Sequence, residues 1–196
     1  PAVAGRRCLD AGASTGGFTD VLLRRGAGHV VAVDVGYGQI AWRLREDPRV
    51  TVLERTNVRT LDPAAVAPAP GLVVGDLSFI SLTLVIPSLV RAAAAEADFL
   101  LLVKPQFEVG RERLGAGGVV RDTRLHAETV MAVSACARSH GLDVLAAIAS
   151  PLPGPAGNVE YFLHMRAGSG QEPDGGLESA VRSAIATGPA GKEARK

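Results

Sequence analysis

Short apolar runs rich in β-branched residues and leucine alternate with longer amphipathic stretches along most of this chain. RRCLD, HVVAVDV and LVVGD each precede a segment with helical spacing, and VTVLE follows the second of these segments. Strands that alternate with helices form βαβ units, whose strands lie parallel in one sheet. The run FLLLVK at 99–104 is apolar without interruption, as expected of a strand that is covered on both faces. The alternation therefore predicts an α/β fold with a largely parallel sheet.

The sequence also predicts where several helices lie. Helices are expected from near Thr15, from Gln39 to Arg45 and from residue 82 to residue 95. Asp122 is placed to cap a longer helix that ends at Gly141. The runs LDVLAAIAS and VEYFLHMR follow that helix with only a turn-rich segment between them. Two strands joined in this way predict an antiparallel pair at the edge of the sheet.

The length of 196 residues and the apolar content of 47% suit a single domain with a proper core. We expect this domain to cover residues 1–167, followed by a flexible linker at 168–176. A short helix at 177–187 and a frayed tail at 188–196 are expected after it. The chain begins at Pro1, without an initiator Met and close to its first strand. We therefore expect a domain whose upstream part is missing.

Charge and cysteine usage limit the surroundings of the protein. The 21 basic and 20 acidic residues leave a net charge of +1, so any polyanion must be held by a local patch. Cys8 and Cys136 do not make a disulfide framework and are expected to be core residues of a cytoplasmic protein. No apolar run is long enough to cross a bilayer, so we expect no membrane partner.

No metal site is expected. The four histidines show no ligand spacing: His29, His126, His140 and His164. We also find no pattern that predicts an oligomeric state.

The segment CLDAGASTGGFTD, residues 8–20, forms a glycine-rich turn at the carboxyl end of the first strand. Parallel sheets bind ligands at that end of their strands. Gly12, Gly16 and Gly17 would let the backbone approach a ligand, and the following helix adds free N–H groups. The spacing G-x-x-x-G-G is not the dinucleotide pattern G-x-G-x-x-G. The turn therefore indicates a nucleotide-type ligand without naming it.

Acidic residues discriminate between the possible ligands. Asp10 would repel a pyrophosphate but attract the ammonium and sulfonium groups of S-adenosylmethionine. Asp34 ends the second strand as an acceptor for ribose hydroxyls, and Asn57 is placed to meet the adenine edge. A plain turn with solvated acids is the alternative. The predicted cofactor-binding residues are Asp10, Gly12, Ser14, Thr15, Gly16, Gly17, Phe18, Asp34, Asn57 and Asp76.

A second constellation follows the fourth and fifth strands. Asp76 ends the fourth strand, and Lys104, the only lysine before the terminal tail, ends the fifth. Glu160 begins the last strand, which we expect to insert antiparallel beside the fifth. Two carboxylates would then flank one ammonium in one crevice. The alternatives are a strand-end cap for Asp76, a snorkelling cation for Lys104 and an exposed edge-strand residue for Glu160.

A glycine-rich stretch after Lys104 carries a local basic patch that could hold a polyanion. The candidate residues are Arg111, Arg113, Arg121 and Arg124. A loop of this composition can close over a substrate strand, and a solvated basic loop is the alternative. Phe79 and Phe107 could stack on an extruded base, although we expect core packing for both.

Six motifs together resemble one family from about Arg7 to Arg166: DAGASTGGFT, DVGYGQ, ERTN, DLSFISL, VKPQFEVG and SPLPGPAGNVEYF. The resemblance is to the TlyA group of ribosomal RNA methyltransferases, within the FtsJ-like 2′-O-methyltransferases. It implies a Rossmann-like fold with a seven-stranded, mostly parallel sheet. It also implies S-adenosylmethionine as methyl donor, and cytidine 2′-hydroxyls of ribosomal RNA in both ribosomal subunits as acceptors.

The catalytic tetrad of that family is Lys-Asp-Lys-Glu. The resemblance assigns its Asp, second Lys and Glu to Asp76, Lys104 and Glu160. Its first Lys has no counterpart here, and the S4-like RNA-binding domain of relatives is absent from this chain. The alternatives are a cofactor-binding module that is inactive without the missing part, and an NAD-dependent oxidoreductase. Some relatives are called haemolysins, but no amphipathic or apolar segment here supports a membrane pore.

Overall fold

The computed structural model describes residues 1–168, 173 and 175–190. The strands are β1 (Arg7–Ala11), β2 (His29–Val33), β3 (Val50–Leu53), β4 (Leu72–Gly75), β5 (Asp98–Val103), β6 (Leu142–Ala149) and β7 (Tyr161–Ala167). The α-helices are α1 (Gly17–Arg24), α2 (Trp42–Arg45), α3 (Ile86–Ala92), α4 (Pro105–Glu108), α5 (Thr123–Ser139) and α6 (Leu177–Thr187). Most of the predicted linker and residues 191–196 of the predicted tail lie outside the described residues.

The seven strands form one sheet in the order β3-β2-β1-β4-β5-β7-β6. The pairs β1–β2, β2–β3, β1–β4 and β4–β5 are parallel, and β6–β7 is antiparallel. This confirms the α/β class and the antiparallel pair. The chain runs outward from β1 to β3 and then returns to place β4 beside β1. The order therefore reverses between β1 and β4, where open α/β sheets bind ligands.

Contacts within the chain divide it into two compact units. The first unit comprises Pro1–Leu77 and Leu84–Leu101, and the second comprises Ser78–Thr83 and the described residues from Leu102 onward. The core of the first unit packs Leu22 and Leu23 of α1 and Leu44 of α2 against apolar strand residues. This burial is the main stabilising contribution to that unit.

The second unit is organised around α5. The Asp122 side chain caps this helix by accepting a hydrogen bond from the Arg124 N–H at 2.9 Å. The helix ends before Gly141, whose φ of +79° is a left-handed conformation that glycine adopts without strain. Both bounds agree with the prediction. Val130 and Val133 of α5 are fully buried, and α6 packs on β6 and α5.

Three predicted helices are shorter than expected. α1 begins at Gly17 rather than near Thr15, because Gly16 is left-handed with φ +96°. α2 begins at Trp42 because Ala41 before it is extended. The range 82–95 contains a 3₁₀ turn and then α3, whose first turn holds a proline. Proline lacks an N–H and has a preset φ, so it suits a helix start and not an interior position.

Candidate functional site

The turn after β1 depends on two of its three glycines. Gly12 has φ +84°, and a Cβ there would lie 2.6 Å from the Asp76 carbonyl oxygen. A Cβ at Gly16, which is also left-handed, would overlap the Leu44 side chain. A Cβ at Gly17 would meet nothing within 4 Å. Gly12 and Gly16 are therefore needed for the close packing of this turn, whereas Gly17 is not sterically required.

The carboxylate of Asp10 lies beneath the turn and is completely buried. Its Oδ2 accepts a hydrogen bond from the Thr19 hydroxyl at 2.7 Å, and Oδ1 has no partner among the described residues. Burial raises the pKa of Asp10 to about 6; hydrogen bonds from Thr19 oppose this rise, and the charges of Asp76 and Asp34 add to it. The alternative of a solvated acid is therefore wrong for Asp10.

Asp34 ties the turn to the end of β2. Its Oδ2 accepts the Ser14 N–H at 2.8 Å, and its Oδ1 accepts the Gly36 N–H at 2.7 Å. Each carboxylate oxygen can accept a second hydrogen bond. Asp34 can therefore hold the turn and still accept from ribose hydroxyls.

The remaining predicted cofactor residues have local structural roles of their own. The Thr15 carbonyl accepts the Ala41 N–H at 3.1 Å, which joins the turn to the start of α2. Phe18 packs against the core of the first unit. The exposed Asn57 caps a short 3₁₀ turn by accepting the Arg59 N–H at 3.0 Å. Its contact with adenine stays a prediction.

Asp76 follows β4 in the first unit. Its backbone N–H donates to the Ala11 carbonyl at 3.1 Å, which extends the pairing of β4 with β1 by one residue. Its carbonyl is the oxygen that a Cβ at Gly12 would meet. Asp76 thus belongs to the same turn region as Asp10 and Asp34. That Asp76 meets Lys104 and Glu160 in one crevice stays a prediction.

Lys104 follows β5 in the second unit and is 9% exposed. Its Nζ donates to the Ser78 hydroxyl at 3.0 Å and lies 5.9 Å from the centroid of the Phe107 ring. A snorkelling lysine keeps its ammonium in water. The buried position of Lys104 therefore favours a specific role over that alternative.

Glu160 directly precedes β7 and is 6% exposed. Its Oε1 accepts a hydrogen bond from Gln106 Nε2 at 2.9 Å. A Cβ at Gly154 would lie 2.6 Å from the same oxygen. Since β7 lies between β5 and β6, the alternative of an exposed edge-strand residue is wrong.

Glu108 was not among the predicted site residues, and it anchors the segment that holds Ser78. It accepts the Ser81 hydroxyl at 2.5 Å and the Leu82 N–H at 2.8 Å. Burial raises the pKa of this carboxyl. Glu108 and Gln106 lie within the quoted motif VKPQFEVG, so the motif marked their position but not their partners.

Phe79 contradicts the prediction of core packing. It is 91% exposed and has a left-handed backbone with φ +63°. Its ring centroid lies 5.0 Å from that of the half-buried Phe107. A bulky residue with a positive φ is rare in proteins, and residues with such strained backbones cluster at functional sites.

The four candidate arginines differ in their partners. Arg113 pairs with Glu128 at 2.6 Å, and Arg124 pairs with Asp122 at 3.0 Å. Arg111 and Arg121 are exposed, and neither forms an ion pair with the residues that the structure describes. The latter two are therefore the better candidates for phosphate contacts.

Other possible sites receive little support. Among the described residues, no group of three or more His, Cys, Asp or Glu side chains could hold a metal ion. No helix in that part of the chain has the length and apolarity to cross a membrane. Both cysteines are free; Cys8 is buried as expected, whereas Cys136 is only half-buried.

The switch point between β1 and β4, with its tight glycine turn and acidic residues, fits the class of S-adenosylmethionine-dependent methyltransferases. The orphaned Asp10 oxygen and the cluster of carboxylates fit a cationic methyl donor. The chain belongs to the FtsJ-like methyltransferase family, which matches residues 2–167. This membership confirms the resemblance, the enzyme class and the cofactor, and argues against an oxidoreductase.

Two curated relatives illustrate the family. The 16S/23S rRNA (cytidine-2′-O)-methyltransferase TlyA of Mycobacterium tuberculosis is 61% identical over 96% of this chain and 70% of its own length. Hemolysin A of Brachyspira hyodysenteriae is 37% identical over 80% of this chain and 66% of its own length.

Solved structures agree with the fold. A hemolysin-like protein from Streptococcus thermophilus has a TM-score of 0.91 at 38% identity, covering 100% of this chain and 70% of that one. The N-methyltransferase NodS from Bradyrhizobium japonicum in complex with S-adenosyl-L-homocysteine has a TM-score of 0.60 at 14% identity, covering 84% and 79%. The second likeness shows the fold alone.

Proposed function

We propose that this chain transfers a methyl group from S-adenosylmethionine to the 2′-hydroxyl of cytidine in ribosomal RNA. The observation that carries the proposal is the buried Lys104 directly after β5, in a chain that is 61% identical to a ribosomal RNA (cytidine-2′-O)-methyltransferase. Ribosomal subunits are then the partners, and the cytoplasm is the expected location.

The acceptor hydroxyl needs more activation in this reaction than the methyl donor does. A ribose hydroxyl is a weak nucleophile until its proton is removed or oriented. S-Adenosylmethionine supplies an electrophilic methyl group on a sulfonium. Lys104 then has the task of accepting or orienting the hydroxyl proton, and the Ser78 hydroxyl holds its Nζ in place. Gln106 fixes the carboxylate of Glu160, which can orient the acceptor nucleotide.

Exposed side chains of the second unit are the candidates for contacts with RNA. Phe79 offers a ring face on which an extruded base can stack, since 91% of the residue is exposed. Arg111 and Arg121 supply positive charge for phosphates. With a net charge of only +1, the binding should be weak and sensitive to salt.

The test uses the full-length protein, ribosomal subunits and S-adenosylmethionine with a labelled methyl group. Lys104→Ala should abolish transfer and leave cofactor affinity, measured by calorimetry, nearly unchanged. The exposed Arg91→Ala is the control. Labelled nucleotides should resist alkaline hydrolysis, because a 2′-O-methyl group removes the attacking hydroxyl. Turnover near wild type in Lys104→Ala refutes the role of Lys104, and alkali-labile products refute the 2′-position. Replacing the acceptor cytidine by uridine tests the base.

A further inference from the structure

The glycine-rich segment 110–121, here termed the arginine loop, is fastened by a side chain that precedes Glu160. Asn158 is 3% exposed. Its Oδ1 accepts the Val120 N–H at 2.9 Å, and its Nδ2 donates to the Gly118 carbonyl at 3.0 Å. If the amide were flipped, its NH₂ group would face the Val120 N–H and its oxygen would face the Gly118 carbonyl. These two backbone groups therefore determine the orientation of the amide.

A second tether holds the same point of the arginine loop. The His126 Nε2 lies 2.8 Å from the Val120 carbonyl, and its Nδ1 lies 2.7 Å from the Tyr161 hydroxyl. Burial lowers the pKa of His126 and favours the neutral ring. A neutral ring donates through Nε2 and accepts through Nδ1, which matches both partners. Val120 is thus tied to Asn158 directly and to Tyr161 through His126, on either side of Glu160.

The other end of this network reaches the Glu160 carboxylate. The Asn158 carbonyl accepts the Gly154 N–H at 2.8 Å, which closes a tight turn. Gly154 in turn packs so closely on Glu160 Oε1 that a Cβ would lie 2.6 Å from it. The turn that Asn158 closes therefore forms one wall around the carboxylate.

We infer that Asn158 is a positioning residue that couples the arginine loop to Glu160. Gly117 and Gly118 both have φ +73°, and glycines leave a loop with much conformational freedom to lose. The buried amide removes that freedom before RNA arrives. Arg121 follows Val120, which is hydrogen-bonded to the Asn158 side chain. RNA phosphates bound by Arg121 are therefore held at a fixed position relative to Glu160. The inference rests on the proposed function, because it assigns Glu160 to the acceptor side of the reaction.

The test combines Asn158→Ala with Arg121→Ala in the full-length protein. Ser134→Ala is the control, because it removes a buried hydroxyl of α5 that donates to the Val130 carbonyl. Asn158→Ala should speed hydrogen exchange in the arginine loop and lower kcat/KM for ribosomal RNA by about tenfold or more. Cofactor affinity should change by less than about twofold. Arg121→Ala should lower kcat/KM by a smaller factor in the Asn158→Ala background than in wild type, because Arg121 is already poorly positioned once Asn158 no longer holds the loop.

Each result decides a separate question. The inference is overturned if hydrogen exchange in the arginine loop is unchanged in Asn158→Ala. It is also overturned if the losses in kcat/KM of Asn158→Ala and Arg121→Ala simply multiply in the double variant. A purely structural defect would instead weaken cofactor binding as well and show no coupling with Arg121. If Asn158→Ala does not fold, Asn158→Ser carries the same measurements. A wild type that transfers no methyl group to RNA overturns the proposed function, whereas an active wild type with an unchanged variant overturns only the inference.

Discussion

Replacing Asp10 by asparagine should stabilise the protein at neutral pH while weakening its hold on the cofactor. Burial raises the pKa of Asp10 from 3.8 to about 6. The folded state therefore favours the protonated carboxyl, and its contribution to stability is present at low pH and is lost as pH rises through about 6. The difference between the two pKa values corresponds to about 3 kcal/mol of unfolding free energy. Asparagine carries no charge and escapes this loss.

The pH dependence isolates the electrostatic part. Between about pH 4.5 and about pH 8, the wild type should lose about 2 kcal/mol more of its unfolding free energy than Asp10→Asn. Costs that do not depend on pH, such as the fit of the amide beside Thr19, cancel in this comparison. The assay is urea denaturation followed by circular dichroism at several pH values. Asp47→Asn is the control, because Arg49 lowers the pKa of Asp47 to about 2 and its carboxylate stays ionised in both states over this range, so its profile should run parallel to that of the wild type.

The outcome decides how the turn selects its ligand. Parallel pH profiles for wild type and Asp10→Asn would refute a buried, costly charge at this position. A second measurement concerns affinity: Asp10→Asn should bind S-adenosylmethionine about tenfold more weakly, with a smaller loss for S-adenosylhomocysteine, which lacks the sulfonium charge. Equal losses for the two compounds would show that the carboxylate does not act through charge.

Three further predictions concern single positions. Gly12→Ala should lower the unfolding free energy by about 1 kcal/mol or more and weaken cofactor binding, whereas Gly17→Ala should leave both close to wild type in the same melting and calorimetry experiments. Phe79→Gly should stabilise the protein by up to about 1 kcal/mol by relieving its left-handed backbone, yet weaken RNA binding in a filter assay. Arg111→Ala and Arg121→Ala should each reduce the slope of RNA affinity against salt by about one; an unchanged slope would place the phosphates elsewhere.

Hydrophobic periodicity was enough to predict the strands and their directions. β5 and the pair β6–β7 could be read from the sequence because a continuous apolar run and two strands without an intervening helix have few other solutions. Helix starts were less predictable. The start of α1 depends on the left-handed backbone of Gly16, which follows from its packing against Leu44 and not from local propensity.

The candidate site was predictable where a residue ends a strand and unpredictable where its role depends on a distant partner. Lys104 was recognisable because an isolated lysine follows a buried run. The roles of Gln106 and Asn158 could not be found in this way, since their partners lie 54 and 38 to 40 residues away. The burial of Asp10 could not be predicted in this way either, because it depends on the packing of the folded chain around the end of β1.

The two units separate the effects that mutations should have. Asp10, Gly12 and Asp34 belong to the first unit, so their substitution should act on cofactor affinity. Lys104 and Asn158 belong to the second unit, so their substitution should act on transfer to RNA with cofactor affinity nearly intact. Sites without shared partners are expected to contribute independently. Cofactor affinity measured without RNA should therefore sort the variants into these two groups before any methylation assay is run.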